Sequence, residues 1–242
     1  MSLTKVPPKD FCTMYSAPHE RAKTIRRTRE WTIPMLQRLA VTSGQVLSIG
    51  CASGADVAEL RARNYEAYGI DACCDAPWCR TASATAIPFG DGVFDAALML
   101  EVIEHIPHDE RAIVARESMR VLKAGAPLIV ATPNRLFPLD EHGKLLRVHS
   151  PFRDDTVSVR ELESLFGVKA ATLTWQNYFA FQRFSPALRS LINAIVPLLD
   201  SPFIHRSAFN PHLFVALLHP LKDDNAVCSG SASYSTSKRF AA

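Results

Sequence analysis

Residues 46–60 read VLSIGCASGADVAEL, a strand, a glycine turn and the start of a helix. Val46–Ile49 is a nearly continuous apolar run bounded by Gly44 and Gly50, as a strand buried on both faces of a parallel sheet requires. Gly50 and Gly54 permit a tight turn and let backbone approach a ligand with no Cβ in the way. A helix over Ala55–Arg63 then points its free N–H groups and positive dipole end into the same space.

Outward from this stretch, strands and helices alternate. Tyr65–Ile70 reads as a second strand ending at Asp71, residues near Cys79–Ala82 as a short third, and Phe94–Leu100 as a fourth. Asp109–Leu122 carries Ala112, Ala115, Met119 and Leu122 on one stripe and closes at Lys123-Ala124-Gly125, a cation and a glycine where a helix stops. Pro127–Ala131 is a fifth strand, halted by Thr132-Pro133-Asn134. Ser158 and Glu161 form a capping box for a helix to Phe166. Val168–Trp175 and Leu213–Leu218 are late strands, and residues 20–40 form a lead-in helix. This alternation predicts a three-layer α/β fold, a mostly parallel sheet covered on both faces.

Composition narrows the function classes. The chain has 242 residues, 48% apolar and 21% charged, and 27 Lys+Arg against 24 Asp+Glu leave a net charge of +3. That excess lacks the bulk basic footprint of a nucleic-acid binder. Arg21, Lys23, Arg26, Arg27 and Arg29 form a local cluster, read as a solvated helix face or as a basic rim beside a phosphate-bearing substrate. No apolar stretch approaches the ~18 residues of a membrane span, and MSLTKVPPKD has no apolar signal core, so a cytoplasmic protein is expected. None of the six cysteines, Cys12, Cys51, Cys73, Cys74, Cys79 and Cys228, sits in a CxxC pair, which points to free, mostly buried thiols and no metal site.

Asp71 follows Gly50 by about 20 residues, at the end of the second strand, where a carboxylate can accept hydrogen bonds from both hydroxyls of a ribose. An adenosine-containing ligand is the expectation. A dinucleotide fits less well, because positions 50, 52 and 55 of the Gly-x-Gly-x-x-Gly pattern read Gly, Ala, Ala.

VLSIGCASG (46–54), YGIDA (68–72), ATAIPFGDGVFDAALMLEVIEHIPH (84–108) and RVLKAGAPLIVATPNR (120–135) follow the motif order of class I S-adenosylmethionine-dependent methyltransferases, which the chain resembles over about residues 45–170. The resemblance implies a Rossmann-like seven-stranded sheet with an antiparallel last strand, supplied by Leu213–Leu218, and S-adenosyl-L-methionine as cofactor. It places Gly50, Cys51, Ala52 and Gly54 along the methionine part, Asp71 on the ribose, Ser83 and Ala84 beside the adenine, and Leu100 and Glu101 beside the sulfonium. Ser48 stands where family members usually carry the acid that serves the ammonium group, and Ser83 where they often carry one for the adenine amino group. A neutral hydrogen bond in place of a charge-assisted one is about half as strong. The expected organisation is a lead-in helix over 1–40, a methyltransferase domain over 41–221 with an apolar insert at 176–210, and a serine-rich, disordered tail over 222–242.

Methyl transfer asks the protein to align an acceptor and to deprotonate it when it is a hydroxyl. Glu101, Glu104 and His105 are spaced i, i+3, i+4 and would share a face on a helix. His105 is the candidate base, and a structural histidine is its alternative. Glu-x-x-Glu-His is also similar to the divalent-metal site of small-RNA 3′-terminal 2′-O-methyltransferases, with His142 or His149 as the fourth ligand, and ubiquinone-pathway O-methyltransferases look alike in this block. In another reading His142 and Asp140 face the acceptor. Within the insert, Leu188, Leu191, Ile195 and Leu198 recur at helical steps, a wall suited to sheet packing or to an apolar acceptor. The expected activity is methyl transfer to a small, partly apolar metabolite, at oxygen. The alternatives are a metal-dependent RNA 2′-O-methyltransferase and an inactive cofactor-binding protein. The expected partner is a small-molecule acceptor rather than nucleic acid.

Overall fold

The strand pleat splits each long apolar run of the sequence between two cores. The computed structural model describes residues 17–74, 76–136, 156–175, 206–207, 210 and 212–220. Its strands are β1 (Gly44–Ile49), β2 (Tyr65–Asp71), β3 (Cys79–Thr81), β4 (Ala96–Leu100), β5 (Pro127–Pro133), β6 (Ala170–Trp175) and β7 (His212–Leu218), in one seven-stranded sheet of order β3-β2-β1-β4-β5-β7-β6. From β3 to β5 all pairs are parallel, whereas β7 runs antiparallel to both β5 and β6.

The helices are α1 (Pro18–Arg27), α2 (Ile33–Arg38), α3 (Ala55–Arg61), α4 (His108–Arg120) and α5 (Val159–Phe166). Leu47 and Ile49 of β1, with Met99 and Val130, face a core closed by Val114 of α4 and Leu162 of α5. Val46, Leu98 and Ile129 face the opposite core, closed by Leu36 of α2 and by Val57 and Leu60 of α3. Successive residues thus point to opposite faces that are both dry, which is why these strands read as continuous apolar runs.

Three expectations are corrected. The lead-in helix is interrupted by a π turn over Thr28–Thr32, in which Ile33 N–H reaches back to Thr28 O. Pro34 lacks the N–H that would bond the Glu30 carbonyl in a regular helix, and the wider turn absorbs that loss. The fifth strand does not halt before Thr132. The reversed β7 lies alongside it, and pairing continues to Pro133 opposite His212. Cys73 is disulfide-bonded, whereas Cys51, Cys74 and Cys79 are free thiols.

The capping box is formed as expected: Glu161 N–H donates to Ser158 Oγ at 3.3 Å, and Ser158 N–H donates to Glu161 Oε2 at 2.7 Å. Residues 1–16 of the lead-in, the insert apart from Arg206, Ser207 and Asn210, the tail, and Asp140, His142 and His149 lie outside the described residues.

Candidate functional site

Strand order reverses between β1 and β4, so a crevice opens at the carboxyl ends of these two strands, the usual ligand position in an open α/β sheet. One wall is the turn after β1. The N–H groups of Gly50 and Cys51 both donate to the Ile70 carbonyl, at 2.8 and 3.0 Å, which seats the turn on the end of β2. A Cβ on Gly50, whose φ is +76°, would lie 2.3 Å from Val102 Cγ2, so only glycine lets the turn touch the chain after β4. Ala52 has a left-handed φ of 45°, strained for a residue with a Cβ. Gly54 occupies the N-cap of α3.

Asp71 ends β2 half-buried. Its Oδ2 accepts the Ala52 N–H and its Oδ1 the Cys73 N–H, both at 2.9 Å, so one carboxylate ties the turn after β1 to the chain after β2. Ser83 is exposed, bonded to the Thr85 hydroxyl at 2.7 Å, and Ala84 packs against the first core.

Ser48 is buried and donates to Asp56 Oδ2. Asp56 comes from the first turn of α3 and accepts the Val57 N–H at 2.8 Å. Burial drives its carboxyl upward, opposed by the Ser48 hydroxyl, the Val57 N–H and the charge of Arg27. A carboxyl group therefore does stand beside the end of β1, delivered by the helix rather than by the strand.

Leu100 is buried at the end of β4. Glu101 follows it at φ 61°, with its N–H on the Ala131 carbonyl at 2.8 Å. Its Oε1 lies 2.7 Å from His212 Nε2 and 3.3 Å from an Arg27 Nη1. Burial works to raise the Glu101 carboxyl, but His212, with help from Arg27 and Lys23, outweighs it and holds the pKa down to about 2. Glu104 behaves in the opposite way. Burial, reinforced by the neighbouring Glu101 charge, pushes its carboxyl up to about 8, although His105 and the Thr132 hydroxyl, which donates to Glu104 Oε2 at 3.0 Å, pull the other way.

Glu101, Glu104 and His105 do not form the expected helical stripe. The only helical turn here is a 3-10 turn over Ile103–His105, and Glu101 precedes it in a left-handed conformation. His105 is half-buried beside the crevice, with its Nδ1 inside. Among the described residues, the group of three metal-ligand side chains whose donor atoms converge is Cys51, Cys74 and Cys79.

In the basic cluster Arg27 is buried, while Arg21, Arg26 and Arg29 stay exposed. Arg27 is buried on Glu101, Arg29 pairs with Glu59 through two bonds of 2.7 and 2.9 Å, and Arg21 donates to the Ser53 carbonyl at 3.3 Å. These arms fasten the helix across the glycine turn. Sequence reasoning missed His212 and the pairing of Arg27. No helix of the described residues is long and apolar enough to cross a membrane.

Residues 47–130 match the family model of a methyltransferase domain. No curated protein matches the chain in sequence. Among solved structures, the chain is similar to the 1,6-didemethyltoxoflavin-N1-methyltransferase of Burkholderia thailandensis with bound 1,6-didemethyltoxoflavin and S-adenosylhomocysteine, at 13% identity and TM-score 0.57 over 89% of this chain and 88% of that one. A SAM-dependent methyltransferase from Archaeoglobus fulgidus aligns at 14% identity and TM-score 0.54 over 87% of this chain and 100% of that one. The [4+2]-cyclase SpnF aligns at 18% identity and TM-score 0.53 over 81% of each chain. Identities this low are a likeness of fold, and the cyclase is a reminder that fold does not fix the reaction.

Proposed function

We propose, because residues 47–130 match the family model of a methyltransferase domain, that this chain is a class I S-adenosylmethionine-dependent methyltransferase that methylates a small, partly apolar metabolite at an oxygen atom. The observation that carries the reading is the Asp71 carboxylate at the tip of β2, next to the turn after β1, holding the Ala52 and Cys73 N–H groups.

The donor set fits the cofactor. Gly50, Cys51, Ala52 and Gly54 form a cradle in which a Cβ at position 50 would overlap Val102. They would line the methionine part, with Asp56, held by Ser48, as the acid for the ammonium group. Asp71 would accept from the ribose hydroxyls, and Ser83 and Ala84 would flank the adenine. Leu100 and Glu101 would close the pocket beside the sulfonium. The cofactor supplies, when bound, a methyl group on a good leaving group.

The protein's own work is alignment and proton removal. Arg27 and His212 hold Glu101 at the end of β4, so the wall beside the acceptor is fixed in place. His105, half-buried at the end of the 3-10 turn, would take the proton of an acceptor hydroxyl.

Calorimetry with S-adenosylhomocysteine on wild type and Asp71→Ala tests the cofactor site. Wild type should bind, and the variant should bind at least about tenfold more weakly, since hydrogen bonds to a charged group contribute roughly 1.5–3 kcal/mol each. Equal affinities in two folded proteins would refute the assignment.

A further inference from the structure

We infer that Cys51, Cys74 and Cys79 form a three-thiol site for a thiophilic metal ion of the zinc(II) class. The site does not depend on the cofactor reading.

Three separate segments deliver the sulfurs. Cys51 lies in the turn after β1, Cys74 follows the end of β2, and Cys79 opens β3. Their Sγ atoms all lie within 4.8 Å of one another, with Cys51 and Cys74 3.6 Å apart. An ion at about 2.3 Å from each of three sulfurs in a plane would hold them about 4.0 Å apart. The 3.6 Å pair is within about 0.4 Å of that spacing, and every pair is at most about 0.8 Å beyond it.

The surrounding backbone is shaped for this cluster. Gly69 pairs with Cys79 in the β2–β3 register. A Cβ there would sit 2.5 Å from Cys51 Sγ and 2.8 Å from Cys79 Sγ, so a side chain at position 69 would occupy the space the sulfurs use. Each ligand segment is also tied down. Cys51 N–H bonds Ile70 O at 3.0 Å, Cys79 N–H bonds Ala76 O at 3.2 Å, and the Thr81 hydroxyl bonds Cys74 O at 3.0 Å. Cys51 is 3% exposed, while Cys74 and Cys79 are half-buried, which leaves an entry path from the β3 side.

The electrostatics favour a cation. Asp56 and Asp71 lie close enough for their charges to act on these thiols. A bound divalent cation would displace the thiol protons to solvent. Soft thiolates select zinc(II), copper(I) and similar ions over magnesium or calcium. Three protein ligands leave a fourth position open.

The test is to load the reduced full chain with zinc(II), remove the excess and measure bound metal by elemental mass spectrometry. Iodoacetamide labelling with peptide mapping then follows on loaded and metal-free samples. One zinc ion per chain is expected, with labelling of Cys51, Cys74 and Cys79 slowed about tenfold or more by the metal. Cys74→Ser and Cys79→Ser, each checked for native circular dichroism, should lose stoichiometric zinc. Substoichiometric zinc in wild type, protection falling on Cys12 or Cys228 instead, or full zinc retention in both folded variants would overturn the site. The protection map uses wild type alone, so the outcome stands even if both variants misfold.

Discussion

His212 Nε2 lies 2.7 Å from Glu101 Oε1, joining the first residue of β7 to the residue that follows β4, across β5. The contact exists because β7 runs backwards: its amino end lies beside the carboxyl ends of the parallel strands, where ligands bind. Arg27 reaches the same oxygen from α1, so the wall of the crevice is a junction of three distant parts of the chain.

Glu101→Gln removes the charge that balances Arg27 and His212. Breaking a buried pair from one side costs about 3 kcal/mol, so the urea unfolding midpoint at neutral pH should fall accordingly. Because the folded-state carboxyl is held at about 2, below its ordinary 4.5, its stabilisation is present above that ordinary value and is lost as pH falls toward 2. The variant should lack this acid limb. An unchanged midpoint at neutral pH would show that the pair contributes no net stability.

Glu104 carries the reverse dependence. Its folded carboxyl stands near 8 against an ordinary 4.5, so its contribution is complete below about 4.5 and is lost as pH rises through about 8. Between about pH 5 and 9 the stability of wild type relative to Glu104→Gln should fall by a few kcal/mol. Parallel curves for the two proteins would contradict the raised pKa.

Ala52→Gly should stabilise the chain. Ala52 is held at φ 45°, a conformation that costs a residue with a Cβ roughly 1–2 kcal/mol, partly offset by the extra freedom glycine has when unfolded. A gain of about 1 kcal/mol in chemical denaturation is expected, with the Asp71 contact retained. A loss of stability would mean that the methyl group of Ala52 packs usefully.

His105→Ala should lower kcat by about 10²–10⁴ on a hydroxylated acceptor, while affinity for S-adenosylhomocysteine stays within about twofold. A kcat close to wild type would make the histidine a structural one.

The local signals were readable in the sequence because they depend on neighbours in the chain. Gly50 and Gly54 mark a turn, and Ser158 with Glu161 marks a helix start, wherever they occur. Glu101, Glu104 and His105 misled for a local reason: i, i+3, i+4 spacing implies a shared face only on a helix, and the helical turn here ends at His105, before Pro107. His212 was accessible in principle. A reversed last strand must bring its first residue to the crevice, but the apolar run Leu213–Leu218 drew the boundary one residue late. The contact of Ser48 with Asp56, and the meeting of Cys51, Cys74 and Cys79, arise between segments in ways that no short spacing records.

The π turn at Thr28–Thr32 sets the phase between two anchors, Arg27 in the polar junction before it and Met35 and Leu36 in the apolar core after it. Winding the same residues as a regular α-helix, without the wide turn, would rotate one anchor by about 100° about the axis relative to the other. Either the guanidinium would swing out toward solvent or the greasy face would. The irregularity works as a gear tooth, keeping a salt-bridging end and an oil-facing end of one rod both pointed at the same body.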